Sequence, residues 1–248
     1  MSNKLTLQEI ADITNRFYSC FCCADISQQE KGIHFICSEE RDKELKGFGC
    51  KYSIFILIKD DLCIVSYSPK YKSCFDGLRK CGVDEIISET SKRYKLKKMQ
   101  LMIFGGETAE QYGGAKVLGG ADYPLYEEFF RTAKPQADPD GWLYEYFTEK
   151  ADKGYFSGYI SNGRLVSVCE TPDMPYMEEE IQHTGINTLQ TERRKGYAKC
   201  TAALAAHNLI EKGVCPQWEC EADNIASVEL AKSIGYKQYG TAFILEEW

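Results

Sequence analysis

The sequence predicts a mixed α/β fold in two parts, and three observations carry that expectation. From Tyr155 to Leu245 the apolar periodicity reads strand, strand, strand, helix, strand, helix, strand, an order that implies a mixed sheet with helices packed on it. A separate mixture of helical and strand patterns fills the first 135 residues. Between the two, Pro135-Gln136-Ala137-Asp138-Pro139-Asp140-Gly141 interrupts all periodicity. The expected boundary lies there, with residues 1–135 as an N-terminal α/β domain and 136–248 as the C-terminal domain.

In the first part, Ile10, Ile13 and Phe17 recur on one helical face, so a helix is expected from Leu5 to about Phe21. The apolar runs Tyr52 to Ile58 and Leu62 to Tyr67 flank Lys59-Asp60-Asp61 and read as a hairpin. A helical stretch from about Tyr71 to Tyr94 is interrupted at Gly82, and Lys98 to Phe104 reads as a strand. The pairs Gly105-Gly106, Gly113-Gly114 and Gly119-Gly120 lack the Lys-Ser/Thr context of a phosphate loop and read as turns. Tyr123 to Thr132 is a further helix.

In the second part, Trp142 to Lys153 resumes as a helix. Tyr155 to Ile160 and Leu165 to Glu170 flank Asn162-Gly163, the strongest hairpin signal in the chain. Thr171 to Gln182 is acidic and holds two prolines, so a surface loop or short helix is expected. A strand from Thr184 to Gln190 leads to a helix from Gly196 to Lys212, closed by Gly213. Pro216 to Glu221 is a strand, Ile225 to Ile234 a helix closed by Gly235, and Tyr236 to Leu245 a last strand.

Composition narrows the function. Hydrophobic residues make up 44% and charged residues 27% of the 248, which is ordinary for a soluble globular protein. No stretch approaches the roughly 18 uncharged apolar residues that span a bilayer. Met1-Ser2-Asn3-Lys4 runs into an amphipathic segment without an apolar signal core, so a cytoplasmic protein is expected. The twelve cysteines are scattered, and only three histidines accompany them. Cys20, Cys22 and Cys23 crowd together without a second cluster at zinc spacing, so reduced, mostly buried thiols and no metal site are expected. A net charge of −7 argues against nucleic acid as a partner. Against that background the basic run Arg193-Arg194-Lys195 stands out.

That run lies where a strand passes into a helix of small residues. A helix start leaves N–H groups unpaired and carries positive partial charge. Gly196 and Ala198 keep bulk away, so a diphosphate can approach those N–H groups. The basic side chains add charge on the diphosphate or on a neighbouring phosphate. Taken alone, the stretch reads equally as a solvated basic turn capping an ordinary helix.

A second stretch, Trp218-Glu219-Cys220-Glu221-Ala222-Asp223-Asn224, leads into Ile225 to Gly235 and Tyr236, with Asp223 or Asn224 placed to cap the helix. Here the sequence resembles the GNAT N-acetyltransferase superfamily. Its phosphate signature, Arg/Gln-x-x-Gly-x-Gly/Ala, corresponds to Arg193, Gly196 and Ala198. Its second signature, an Asn before a helix that ends in Gly and an aromatic residue, corresponds to Asn224, Gly235 and Tyr236. One helix and one strand separate the two, as that fold requires. The resemblance covers roughly the last hundred residues, from about Lys153 to Trp248. The pattern Trp218, Cys220, Asn224, Ser227, Ala231, Gly235, Tyr236 is similar to a narrower bacterial branch that includes the zwittermicin-A-resistance type.

The resemblance implies a splayed mixed sheet with acetyl-CoA as acyl donor in the V between the strands at 184–190 and 216–221. Ile186, Asn187, Thr188 and Leu189 would pair with the pantetheine, and Asn224, with Ser227 beside it, would hold its amide groups. Arg193, Arg194, Lys195, Gly196, Tyr197 and Ala198 would cradle the diphosphate. A primary amine of a small molecule would attack the thioester directly in a ternary complex. The alternative is a catalytically inactive acyl-CoA-binding sensor or interaction module.

Catalytic groups are less legible. Many GNAT enzymes carry an acidic tyrosine seven residues after the capping Asn, where this chain has Ala231. Tyr236 is the candidate acid, although the family usually places an aromatic core residue there; Tyr197 and Tyr239 are substitutes without a supporting pattern. His183, just before the strand at 184, is the candidate base, its ordinary pKa suiting proton abstraction near neutrality. A loop histidine is the bland reading. Glu170 and Glu178-Glu179-Glu180 could recognise a cationic substrate or simply be solvated. Glu219 and Glu221 alternate with Trp218 and Cys220, so one pair faces the cleft, and the sequence does not say which. Cys200 reads as a core thiol. The N-terminal part is expected to shape the acceptor pocket or to mediate homodimerisation, and its element content would permit a degenerate second GNAT-like lobe.

Overall fold

A computed structural model describes residues 4–106 and 112–248 of the chain. The stretch Met1 to Asn3, read above as lacking a leader, lies outside the described residues. In chain order the elements are α1 (Leu7–Cys22), β1 (Gly32–Cys37), β2 (Lys51–Lys59), β3 (Leu62–Tyr67), α2 (Lys72–Asp76), α3 (Val83–Arg93), β4 (Lys97–Phe104), β5 (Ala115–Val117) and α4 (Tyr123–Ala133). There follow α5 (Leu143–Asp152), β6 (Ser157–Ser161), β7 (Arg164–Glu170), β8 (Ile181–His183), β9 (Gly185–Thr188), α6 (Tyr197–Glu211), β10 (Cys215–Glu221), α7 (Ile225–Ser233) and β11 (Tyr236–Glu247). The fold is mixed α/β, a large mixed sheet flanked by helices.

The local signals act as their chemistry dictates. Thr6 and Glu9 form a reciprocal capping box at the start of α1, and Ile10, Ile13 and Phe17 form its buried face. Asn162 and Gly163, with φ of 50° and 76°, make the left-handed pair that a two-residue hairpin turn needs between β6 and β7. Gly213, at φ 77°, closes α6.

Seven strands form one sheet in the order β1-β3-β2-β11-β4-β10-β8, and four form a second in the order β5-β6-β7-β9. The interruption at Pro135 to Gly141 does not divide the larger sheet. There β4, from the N-terminal part, is bonded on both sides by strands of the C-terminal part, β10 and β11, and β11 also pairs with β2. One apolar core accordingly joins Ile10, Phe17, Phe55 and Leu101 to Ala202, Trp218 and Ile244. The 136–248 segment is thus built around an N-terminal strand, because β10 and β11 leave a gap that β4 fills.

Three short strands escape the periodicity argument. β1 lies at an edge, parallel to β3. β5 has three residues, too few for a period. β8 arises from the end of the predicted acidic loop. The rest of that loop is tied down by ion pairs, Glu178 to Lys46 at 2.8 Å and to the nearly sealed Lys150 at 3.0 Å, and Glu180 to Arg16 at 2.6 Å. Two of the three clustered glutamates therefore hold the loop in place, an outcome that neither reading of the cluster, substrate recognition or simple solvation, anticipates. All twelve cysteines are free thiols, seven of them buried. Among the described residues no helix is long and apolar enough to cross a membrane, and no group of three or more His, Cys, Asp or Glu side chains could hold a metal.

Candidate functional site

The site begins where two strands part. β8 runs parallel to β10 as far as His183 opposite Gln217, and Thr184 donates one more bond from its N–H to the Gln217 carbonyl at 3.0 Å. The chain then leaves the larger sheet, and β9 pairs instead with β7 in the smaller one. The strand expected over 184–190 is found as the shorter β9, and the hand-over falls at Thr184, the first residue of the expected span. Beyond Thr184 the facing edges of β9 and β10 share no ladder, and a V opens between them.

A cavity of about 650 Å³ lies at the mouth of the V. Ile186, Asn187 and Thr188 line one wall, Arg193, Arg194, Gly196, Tyr197 and Ala198 the floor, and Asn224 and Ser227 the other wall. Gly196 caps α6 with φ of 85°, and a Cβ added there would meet no atom within 4 Å. The unpaired N–H groups of the first turn of α6 therefore stand beside open space. Arg194, itself left-handed at φ 63°, forms no ion pair among the described residues. Arg193 is turned back, its Nε donating to the Thr188 carbonyl at 3.2 Å. On the opposite wall Asn224 accepts from the Ser227 N–H at 3.2 Å, and Trp218 Nε1 donates to Ser227 Oγ at 3.1 Å. Those two bonds fix the start of α7 against β10.

Residues 142–242 match the model of the GNAT acetyltransferase family. The chain is also 30% identical over 87 residues to the uncharacterized N-acetyltransferase YdfB of Bacillus subtilis (strain 168), covering 35% of this chain and 32% of that protein. It thus spans about a third of the length of the curated relative it matches. Among solved structures, an acetyltransferase from the GNAT family from Colwellia psychrerythraea is similar over 98% of both chains, with a TM-score of 0.54 and 13% identity. That likeness is one of fold, and it extends over the N-terminal part as well as the GNAT segment. The family match supports acetyl transfer as the chemistry of this segment.

Two of the expected coenzyme-contacting residues, one from the pantetheine edge and one from the cradle, stand apart from this cavity. Leu189 packs in the core of the smaller sheet, its N–H already donated to the Val166 carbonyl at 3.0 Å. Lys195 does not line the cavity and pairs with Glu192 at 2.9 Å. Glu192 and Lys199 do line it, a neighbourhood the motif did not single out.

The catalytic candidates also need correction. Tyr236 is buried between Phe104 and Trp218, and its hydroxyl is paired with Thr184 Oγ1 at 3.2 Å. It is a core residue, as the aromatic ring after a helix-closing glycine packs inward. His183 is half-buried, yet its Nδ1 is sealed from solvent and has no partner. Burial pushes it down to about 4, against a hydrogen bond with the Glu219 backbone that favours its charged form. It is neutral at pH 7 and a weaker base than an ordinary histidine. Ala231 is fully buried, so α7 supplies no proton from that position. Tyr239 is spoken for by Asn15 Oδ1 at 2.9 Å, and Cys200 is a half-buried thiol outside the cavity lining.

The structure brings forward a group the sequence left undecided. Trp218 bonds to Ser227 of α7, whereas Glu219 points to the face covered by α1. Burial pushes the Glu219 carboxyl up to about 7, with hydrogen bonds from Gln217 and Tyr18 opposing the shift. Glu219 stands two residues past Gln217, the last partner of β8, with its carboxylate on the α1 face and outside the lining of the cavity. Glu170, at the end of β7 opposite Gly185, is likewise pushed up by burial, and no ion pair forms on it among the described residues.

Proposed function

We propose that this protein transfers an acetyl group from acetyl-CoA to a primary amine of a small molecule, by direct attack within a ternary complex. The observation that carries the reading is the cavity at the splay, where Gly196 and Ala198, the cradle side chains Arg193 and Arg194, and Asn224 with Ser227 face one another. Acetyl-CoA would enter with its diphosphate over the first turn of α6. The pantetheine would pair with the edge of β9 that β7 leaves free. The thioester would then reach the point where Thr184 bonds to Gln217.

Glu219 is the base in this reading. A carboxyl near neutrality is half ionised at working pH and can take a proton from an ammonium group. That transfer leaves a neutral nitrogen, which attacks the thioester carbonyl. The C–N bond forms, the C–S bond breaks, and the second proton lost by nitrogen balances the departing thiolate. Most of the acceleration would come from holding amine and thioester together. Ala231 favours the rival reading, an acyl-CoA-binding module without turnover, because a thiolate-protonating tyrosine is missing there. The narrower branch assignment rests on the sequence pattern around Trp218 and Ser227, whose bond braces α7 here.

Calorimetric titration with acetyl-CoA, dephospho-CoA and pantetheine tests the site. Binding that weakens as phosphates are removed is expected. Thiol release with a panel of amines then separates the two readings: turnover above the no-amine rate excludes the module, and binding without turnover excludes the enzyme.

A further inference from the structure

The N-terminal segment touches the chemistry at one place. α1 lies across the face of the larger sheet opposite α7, and Tyr18 is fully buried beneath it. Its hydroxyl accepts a hydrogen bond from Gln217 Nε2 at 2.7 Å and donates to Glu219 Oε2 at 3.5 Å. Gln217 Nε2 also donates to the same carboxylate oxygen at 3.2 Å. One oxygen of Glu219 is thus held from two sides. The other, Oε1, accepts no hydrogen bond among the described residues and is not among the sealed, unpartnered atoms. A carboxylate with one oxygen fixed and one open is oriented for taking a proton.

The ring that holds it is itself locked. Tyr18 stacks on Tyr239 at 5.0 Å between centroids, and Tyr239 is fixed by its bond to Asn15 on the same helix. Phe17 and Phe21 pack near the ring at 5.2 Å and 6.2 Å.

We infer that the N-terminal segment completes the active site, with Tyr18 of α1 as the positioning residue that, together with Gln217, orients the Glu219 carboxylate. The inference rests on the reading of Glu219 as the base. The titratable groups facing Glu219 are Tyr18 from α1, Tyr52 from β2 and His183 from β8, with Cys220 beside it on β10. No Lys or Arg forms an ion pair with it among the described residues. Its ionisation is therefore set by burial against neutral donors, and among the described residues Tyr18 and Gln217 are those donors.

Tyr18→Phe removes the hydroxyl and keeps the ring and its stack. In the full-length protein with ¹³C-labelled glutamate carboxyls, the Glu219 resonance is identified by its loss in Glu219→Gln and followed through a pH titration. Its midpoint is expected near 7 in the parent and higher by roughly half a unit or more in Tyr18→Phe, because a donor to the charged form is gone. Gln217→Met, which removes the second donor, is the companion variant and shifts it the same way. The acid limb of the kcat/KM profile should move with the resonance, while acetyl-CoA affinity stays the same. An unmoved midpoint in both variants overturns the inference, leaving Tyr18 as packing only. A midpoint that moves while the kinetic profile does not sustains the positioning role and overturns the assignment of Glu219 as base.

Discussion

At position 196 the backbone turns through a φ of 85°, a conformation that only glycine adopts without strain, and it does so beside open space. Gly196→Ala and Gly196→Asp share that strain, about 1 kcal/mol, but only the second adds a carboxylate beside the expected diphosphate. Calorimetry should therefore find acetyl-CoA binding weakened at least about tenfold more by Asp than by Ala, with similar melting temperatures for both. Glu219 yields a second prediction, in two parts. Glu219→Gln should lower turnover by on the order of 10²–10⁴. Its effect on stability follows from the raised native pKa. The folded state holds its proton up to about 7, the unfolded chain only to 4.5, so stability is lost as pH rises through that window. Above pH 7 the parent carries the full cost of a buried charge that glutamine lacks, and urea unfolding at pH 8 should find the variant more stable by on the order of 1–3 kcal/mol. At pH 4 the difference should vanish. The geometry of the proposed cradle is legible in the sequence because it is written in local backbone: a glycine, a helix start, a cap. Glu219 is not, because its environment is made by Tyr18, which no spacing rule connects to it.

Among the elements, β11 carries the irregularity that matters. Its register shifts between Gln238 and Gly240, and a Cβ at Gly240 would stand 2.7 Å from the Ile58 carbonyl oxygen of β2. That neighbour is backbone within a ladder and cannot move aside cheaply. Gly240→Ala should destabilise by about 1–3 kcal/mol, read as a lowered denaturant midpoint with an unchanged m-value. Elements with a long period, such as α1, β2 with β3, and α6, stand close to where the sequence put them. β1, β5 and β8 are not anticipated, since three to six residues at an edge or a hand-over are fixed by their neighbours rather than by their own pattern. The strand expected over 184–190 is shortened to β9, Gly185–Thr188, for the same reason. Nothing in its composition records that Thr184 bonds to the larger sheet while Gly185–Thr188 pair in the smaller one.

For the whole molecule, the break at 135–141 is real as a turn and misleading as a division, because turn chemistry reports where the chain bends and not which strands pair across the bend. With β4 absent, β10 and β11 would face each other across an unfilled slot, their edges bare. A fragment of residues 136–248 should accordingly aggregate or give a collapsed, poorly dispersed amide spectrum. Co-expression with residues 1–135 should restore a folded complex that binds acetyl-CoA. A dispersed spectrum from 136–248 alone would show instead that the slot can close. The same arrangement sets a timetable during synthesis. β2 and β4 emerge from the ribosome early, but the strand that joins them, β11, runs to Glu247, so the two must wait with open edges while most of the protein is translated. Slow, non-local closure of this kind leaves the nascent chain dependent on whatever shields those edges in the interval.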